Sequence, residues 1–274
     1  MLEASMSETL SSPSPLPIAL CLGGLDPSGG AGLLRDVQVL SSLGVYPMAL
    51  CTAETIQNGE ACLEISPPSL SPVLGLQALR PHLRGTWGLK LGLCDLDAVA
   101  LDSLIRALAE AGPAFRIWDP IMAPTSGVGL HSAAALGRMA RGVLASGGWI
   151  VSPNRSEAQA LLEAETSDPW ALALPWLDLG AEAVWLKGGH TPGPTLQDFW
   201  ITRERVTPLD LHPRLPGDRR GTGCTLASAW LGLRLKGLTA LDAAREAALW
   251  LRNHWSQAAA PGNFGRPAFL PEQP

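Results

Sequence analysis

Short apolar runs alternate along the chain with longer stretches whose apolar residues recur at three- and four-residue spacing. The short runs at 18–22, 49–53, 88–91, 115–118, 149–151 and 183–186 are mostly followed by Gly, Pro, Asn or Lys, the pattern of buried strands. The longer stretches at 31–43, 95–111, 133–144, 156–164 and 169–179 predict crossover helices. A hairpin is predicted from 199–202 and 205–211 around Arg203 and Glu204, followed by helices over 224–235 and 240–257. Alternation of this kind predicts an α/β fold around a mainly parallel sheet. No internal repeat or linker divides the chain, and the Pro-rich stretch 66–72 reads as a loop ahead of a helix. The expectation is a Ser/Pro-rich disordered tail over 1–16 and a single domain over 17–274.

Composition narrows what such a domain binds. With 274 residues, 46% of them hydrophobic, the chain can bury a full core. Only 16% are charged, and the 20 basic residues are arginines apart from Lys90, Lys187 and Lys236. A net charge of −5 argues against nucleic acid, whose binders carry a basic stripe, and for a small-molecule partner. Cys21, Cys51, Cys62, Cys94 and Cys224 are widely spread with no CxxC pair, so neither a disulfide framework nor a zinc site is expected. That usage suits a reducing cytoplasm. No apolar run approaches the roughly 20 residues of a membrane span, and residues 1–17 lack the basic start and apolar centre of a signal peptide.

Open parallel sheets bind ligands outside the carboxyl ends of their strands, and the unusual chemistry collects there. Gly221-Thr222-Gly223-Cys224 opens a helix rich in small residues; it reads either as a structural helix entry or as a turn aiming free amides at an anion. Cys224 in that first turn reads as a dipole-stabilised thiolate or as a small buried hydrophobe. The loop from Gly24 to Gly32 holds four of the five glycines of 23–32, which let backbone approach a ligand closely. Asp26 there is a ligand group or a helix cap, and Asp36 reads by default as a surface carboxylate. Asp119, Asn154 and Glu157 are oxygen donors of the kind magnesium and its waters prefer, although any one alone reads as a cap. Lys187 ends an apolar strand, where it suits water or an anion. His190 reads as structural, and the ten tryptophans as core or subunit contacts.

Taken in order, Gly24-Leu25-Asp26-Pro27-Ser28-Gly29-Gly30-Ala31-Gly32, Thr52-Ala53 with Gln57-Asn58, Lys90-Leu91-Gly92, Asp119-Pro120-Ile121-Met122 with Ser126-Gly127, Pro153-Asn154 with Glu157, Lys187-Gly188-Gly189-His190 and Gly221-Thr222-Gly223-Cys224-Thr225 closely resemble the hydroxymethylpyrimidine/phosphomethylpyrimidine kinases of thiamine biosynthesis, within the ribokinase-like superfamily. The resemblance covers roughly residues 17–265. It implies a three-layer α/β/α sandwich, ATP and Mg2+ as cofactors, a homodimer, and two successive phosphorylations of 4-amino-5-hydroxymethyl-2-methylpyrimidine. Carried over by position, it implies that Gly24, Asp36 and Gln57 line the pyrimidine pocket and that Asp119, Asn154 and Glu157 organise magnesium and triphosphate. It implies further that Lys187 touches ATP phosphates, that the amides of Gly221 to Cys224 form an anion hole, and that Cys224 lies nearest the accepting alcohol. The chain carries Arg220 and Asp218 where the family usually shows His and Asn, and Thr125 where Lys is common. Arg220 is expected to supply the positive charge that Thr125 lacks. A pyridoxal kinase of the same cysteine-bearing subtype, and a non-catalytic pyrimidine-binding protein that kept the fold, are the alternatives; Gln57 favours the aminopyrimidine over pyridoxal.

Overall fold

The computed structural model describes residues 15–58, 60–122, 132–162, 165–189 and 193–258. The expected tail at 1–16 falls almost wholly outside them, as do Ser126, Gly127, Thr125 and His190. Strand β1 (Ile18–Leu25) leads through helix α1 (Gly32–Ser42) to β2 (Tyr46–Gln57), which pairs antiparallel with the edge strand β3 (Cys62–Ser66). Helix α2 (Pro72–Leu79) returns the chain to β4 (Trp87–Leu91), on the other side of β1. The sheet then grows in one direction through α3 (Ala98–Ala111), β5 (Phe115–Trp118), α4 (Ala133–Leu144), β6 (Trp149–Val151), α5 (Arg155–Gln159), α6 (Pro169–Asp178) and β7 (Ala183–Leu186). An antiparallel hairpin, β8 (Thr195–Ile201) and β9 (Val206–Pro213), completes it before α7 (Thr222–Leu235) and α8 (Ala240–Asn253).

The nine strands among the described residues form one sheet in the order β3-β2-β1-β4-β5-β6-β7-β8-β9, parallel from β2 to β7. Side chains alternate across the sheet, so β1 sends Leu20 and Leu22 into one core and Ala19 and Cys21 into the other. Leu104, Leu108, Trp118 and Trp176 belong to the first core; Val39, Leu40, Trp185, Trp230 and Ala247 belong to the second. These helix and strand memberships make the arrangement three-layered, with α1, α7 and α8 on one face and the remaining helices on the other. Each fully buried leucine contributes about 1.5–3 kcal/mol. Six tryptophans are fully buried, and Trp118 meets Trp176 edge-on with ring centroids 5.6 Å apart.

The sequence pattern locates most of these elements, although β2 and β8 are longer than the runs 49–53 and 199–202 and α8 ends before 257, and two elements differ more deeply. β3 escapes it because a five-residue edge strand with two exposed positions has too little alternation to read. The helix expected over 156–164 is a single turn and a half, Arg155–Gln159, ended soon after its own capping box. Connections from β1 and β4 diverge to opposite sides, which opens a crevice at their carboxyl ends.

Candidate active site

A cleft of about 470 Å3 occupies that crevice and extends along the carboxyl ends of β5, β6 and β7 to α7. Of the residues expected at a site, Gly24, Gln57, Asp119, Asn154, Glu157, Lys187, Gly221, Thr222, Gly223 and Cys224 all line it. Asp36 does not, nor is it a surface carboxylate. It is wholly buried on α1, where its Oδ1 accepts from Lys90 Nζ at 2.6 Å and from Ser228 Oγ at 2.8 Å. One turn into α1 the carboxylate points down into the layer between helix and sheet, a direction that helical spacing alone does not reveal.

Helix α7 enters the cleft without a side-chain cap. Its N-cap Gly221 has φ of 70°, and a Cβ there would stand 2.3 Å from the Gly30 carbonyl oxygen, so only glycine lets the two loops touch. The amides of the first turn therefore face the cleft with the positive end of a 14-residue helix behind them. Gly223 brings that turn close to charge: a Cβ on it would lie 3.2 Å from Lys187 Nζ and 3.3 Å from Asp119 Oδ2.

Asp119 follows β5 and Lys187 follows β7, and their side chains meet at 2.7 Å on the cleft wall. Burial disfavours the ammonium of Lys187, but the carboxylates of Asp119 and Glu157 outweigh it and hold its pKa above the ordinary value. Asn154 caps α5: its Oδ1 accepts from Glu157 N at 2.9 Å, and Glu157 Oε2 accepts from Asn154 N at 2.7 Å. Burial pushes the Glu157 carboxyl up to about 7, against the pull of Lys187. Cys224 is not the stabilised thiolate its helix position suggests, because burial pushes its thiol up to about 11 while Lys90 only partly compensates. Among the described residues no cluster of three His, Cys, Asp or Glu could hold a metal. Two neighbouring carboxylates, Asp119 and Glu157, suit magnesium, which keeps most of its waters and takes its other oxygens from phosphates.

Around the glycine loop the structure corrects two readings. Asp26 caps no helix and faces no cleft; its Oδ1 accepts from Ser28 N at 2.9 Å and Ser28 Oγ at 2.6 Å, and its Oδ2 accepts from Arg220 Nη2 at 3.0 Å. Arg220 is 3% exposed, and its charge is engaged by this ion pair rather than left free for a nucleotide. It donates also to Ser28 Oγ at 2.8 Å and to Gln57 Oε1 at 3.3 Å.

Other groups in the cleft escape sequence reading. Asp198 of β8 is buried and accepts from Gly188 N at 2.7 Å and Trp185 Nε1 at 3.0 Å, pinning the turn after Lys187. A lone acid in the run Asp198-Phe199-Trp200-Ile201 was the available signal. Arg214, Arg219, Arg245 and Arg252 line the outer part of the cleft, so its positive field comes from more than Lys187 and helix amides. They belong to the segment between β9 and α7 and to α8, which only the tertiary fold brings together.

A family model described as phosphomethylpyrimidine kinase matches residues 26–268. The hydroxymethylpyrimidine/phosphomethylpyrimidine kinase of Escherichia coli is 30% identical over 251 residues, which is 88% of this chain and 91% of that protein. Among solved structures, the pyridoxal kinase from Staphylococcus aureus in complex with AMP-PCP superimposes with a TM-score of 0.81 at 19% identity, covering 94% of each chain. The phosphomethylpyrimidine kinase from Clostridium difficile gives 0.71 at 22% identity, covering 87% of this chain and 99% of that one. Both share the fold, a ribokinase-like α/β architecture.

Proposed function

The chain belongs to the phosphomethylpyrimidine kinase family, and from that premise we propose that it phosphorylates 4-amino-5-hydroxymethyl-2-methylpyrimidine with ATP and then phosphorylates the monophosphate to the diphosphate. The observation that carries this reading is the meeting of three charge-handling groups in one cleft: the uncapped start of α7, the Lys187–Asp119 pair beneath Gly223, and the Asp119 and Glu157 carboxylates.

Phosphoryl transfer through a loose transition state needs positioning and charge neutralisation more than bond-making by the protein. The amides at Thr222, Gly223 and Cys224 would receive the charge that develops on the transferred group, and Gly221 sets their direction. Lys187 supplies a fixed cation beside them. Asp119 and Glu157 would hold magnesium, which when bound neutralises triphosphate charge, while Asn154 keeps Glu157 in place through the capping box. A thiol with a pKa of about 11 is protonated at neutral pH, so Cys224 acts as a hydrogen-bonding wall for the alcohol rather than as its base. Gln57 and Gly24 would bound the pyrimidine, with Asp36 supporting that wall from below through Lys90 and Ser228.

The reading extends to a single kinase domain over 17–274, a homodimer and a cytoplasmic location. No described helix is long and apolar enough to cross a membrane. Incubation with ATP, magnesium and the pyrimidine alcohol or pyridoxal, followed by mass spectrometry, tests it. Pyrimidine diphosphate is the expected product, and pyridoxal phosphate alone would overturn the assignment.

A further inference from the structure

Gln57 ends β2 at the cleft, and among the described residues its amide has one partner, Arg220 Nη2, which donates to Oε1 at 3.3 Å. A guanidinium has donors only, so the amide atom facing it must be the oxygen. This removes the ambiguity that leaves most amide orientations to be assigned from their surroundings. Arg220 is itself immobilised: Asp26 Oδ2 and Ser28 Oγ take its other hydrogen bonds, and it is 3% exposed. Turning the Gln57 amide over would set its NH2 against the Arg220 donors and strand a buried N–H.

We propose that Arg220 is a specificity-determining positioning residue: by locking the Gln57 amide it fixes the order in which donor and acceptor are offered to the ring in the cleft. The inference rests on the pyrimidine kinase reading and deepens it. Oε1 keeps a second lone pair and Nε2 keeps its donors, so the locked amide pairs with a ring edge presenting an acceptor opposite Nε2 and a donor opposite Oε1. A 4-aminopyrimidine presents that order through its ring nitrogen and amino group. The corresponding 4-oxo-3H-pyrimidine presents the reverse, an N–H beside a carbonyl oxygen. A free glutamine would turn over to accept either edge, whereas a locked one rejects the second by leaving polar groups unpaired.

The test measures binding of two probes, 4-amino-5-hydroxymethyl-2-methylpyrimidine and its 4-oxo analogue, by calorimetry without nucleotide. The native protein is expected to prefer the amino compound by about tenfold or more, the factor that one lost hydrogen bond carries. Arg220→Met is expected to bring the preference to within about threefold through tighter binding of the oxo compound, a gain that simple loss of structure does not produce. Arg220→Lys, which keeps a donor, is expected to retain the native preference. Because Asp26 would be left as a buried unpaired charge, the double variant Asp26→Asn with Arg220→Met stands in if the single one does not fold. Unchanged preference in the folded methionine variant would overturn the lock while leaving the kinase reading intact; failure of the native protein to bind either pyrimidine would overturn both.

Discussion

Two lysine–aspartate pairs of nearly equal length lie toward the carboxyl ends of strands, and they sit in opposite surroundings. Lys90 and Asp36 meet at 2.6 Å with each side chain 1% exposed, and Ser228 adds a second hydrogen bond to the same oxygen, Oδ1, leaving Oδ2 without a partner among the described residues. Lys187 and Asp119 meet at 2.7 Å and both line the cleft, within reach of Glu157 and the first turn of α7. Burial lowers the affinity of both lysines for a proton, and facing carboxylates more than restore it. Pairing therefore does not separate structural from functional charge. Access to a ligand does, because only the second pair can exchange a partner without opening the core.

Removing a lysine from each pair should break this symmetry in different observables. Lys90→Met leaves Asp36 as an uncompensated buried charge, and chemical denaturation should register a loss of about 3–5 kcal/mol. The double variant Lys90→Met with Asp36→Leu should recover most of that stability, because no lone charge remains. Lys187→Met should cost about 100- to 1,000-fold in kcat/KM, the scale for loss of one fixed electrostatic group. Its melting temperature should change less than that of Lys90→Met, since Asp119 borders the cleft and can take water. Equal effects of the two single variants on both activity and stability would erase the distinction.

The smallest expected effect concerns Glu157, the further carboxylate beside the cleft pair. Its carboxyl titrates near 7 in the folded chain against an ordinary value of 4.5, so folding favours its protonated form. The stability it contributes is fully present below about 4.5 and lost as pH rises through about 7. Thermal melts of the unliganded protein should fall as the pH rises from 5 to 8. Glu157→Gln should flatten the profile without abolishing it, because burial raises the Asp36 and Asp198 carboxyls in the same direction. A steeper profile in the variant would show that another group dominates.

Legibility in the sequence follows the range of the physics involved. The helix at 133–144 is read to the residue because Ser132 caps it and its apolar spacing is regular. Strands β1, β4, β5, β6 and β7 are legible because burial on both faces demands near-continuous apolar runs, interrupted here by Lys90 in β4 and Arg116 in β5. Lys187, Asp119 and the Gly221–Cys224 turn are legible as strand-end and helix-start chemistry. Asp198 is less so, since its partners Gly188 and Trp185 lie across a hairpin register that one strand does not encode. Arg220 stands beside Gly221 in the chain, but its partners Asp26, Ser28 and Gln57 come from positions more than 160 residues away.

The sequence by itself determined the α/β alternation, the loops that carry glycines, and the residue types available at each strand end, because these follow from local periodicity and backbone freedom. Only the tertiary structure decided which charges are sealed and which are open to a ligand, and which way an amide faces. Burial, pKa and hydrogen-bond partners depend on side chains converging from distant segments. Hence Lys90 and Lys187, equivalent as strand-end lysines, become a core strut and a cleft cation, and Cys224 becomes a protonated thiol despite its place at a helix start.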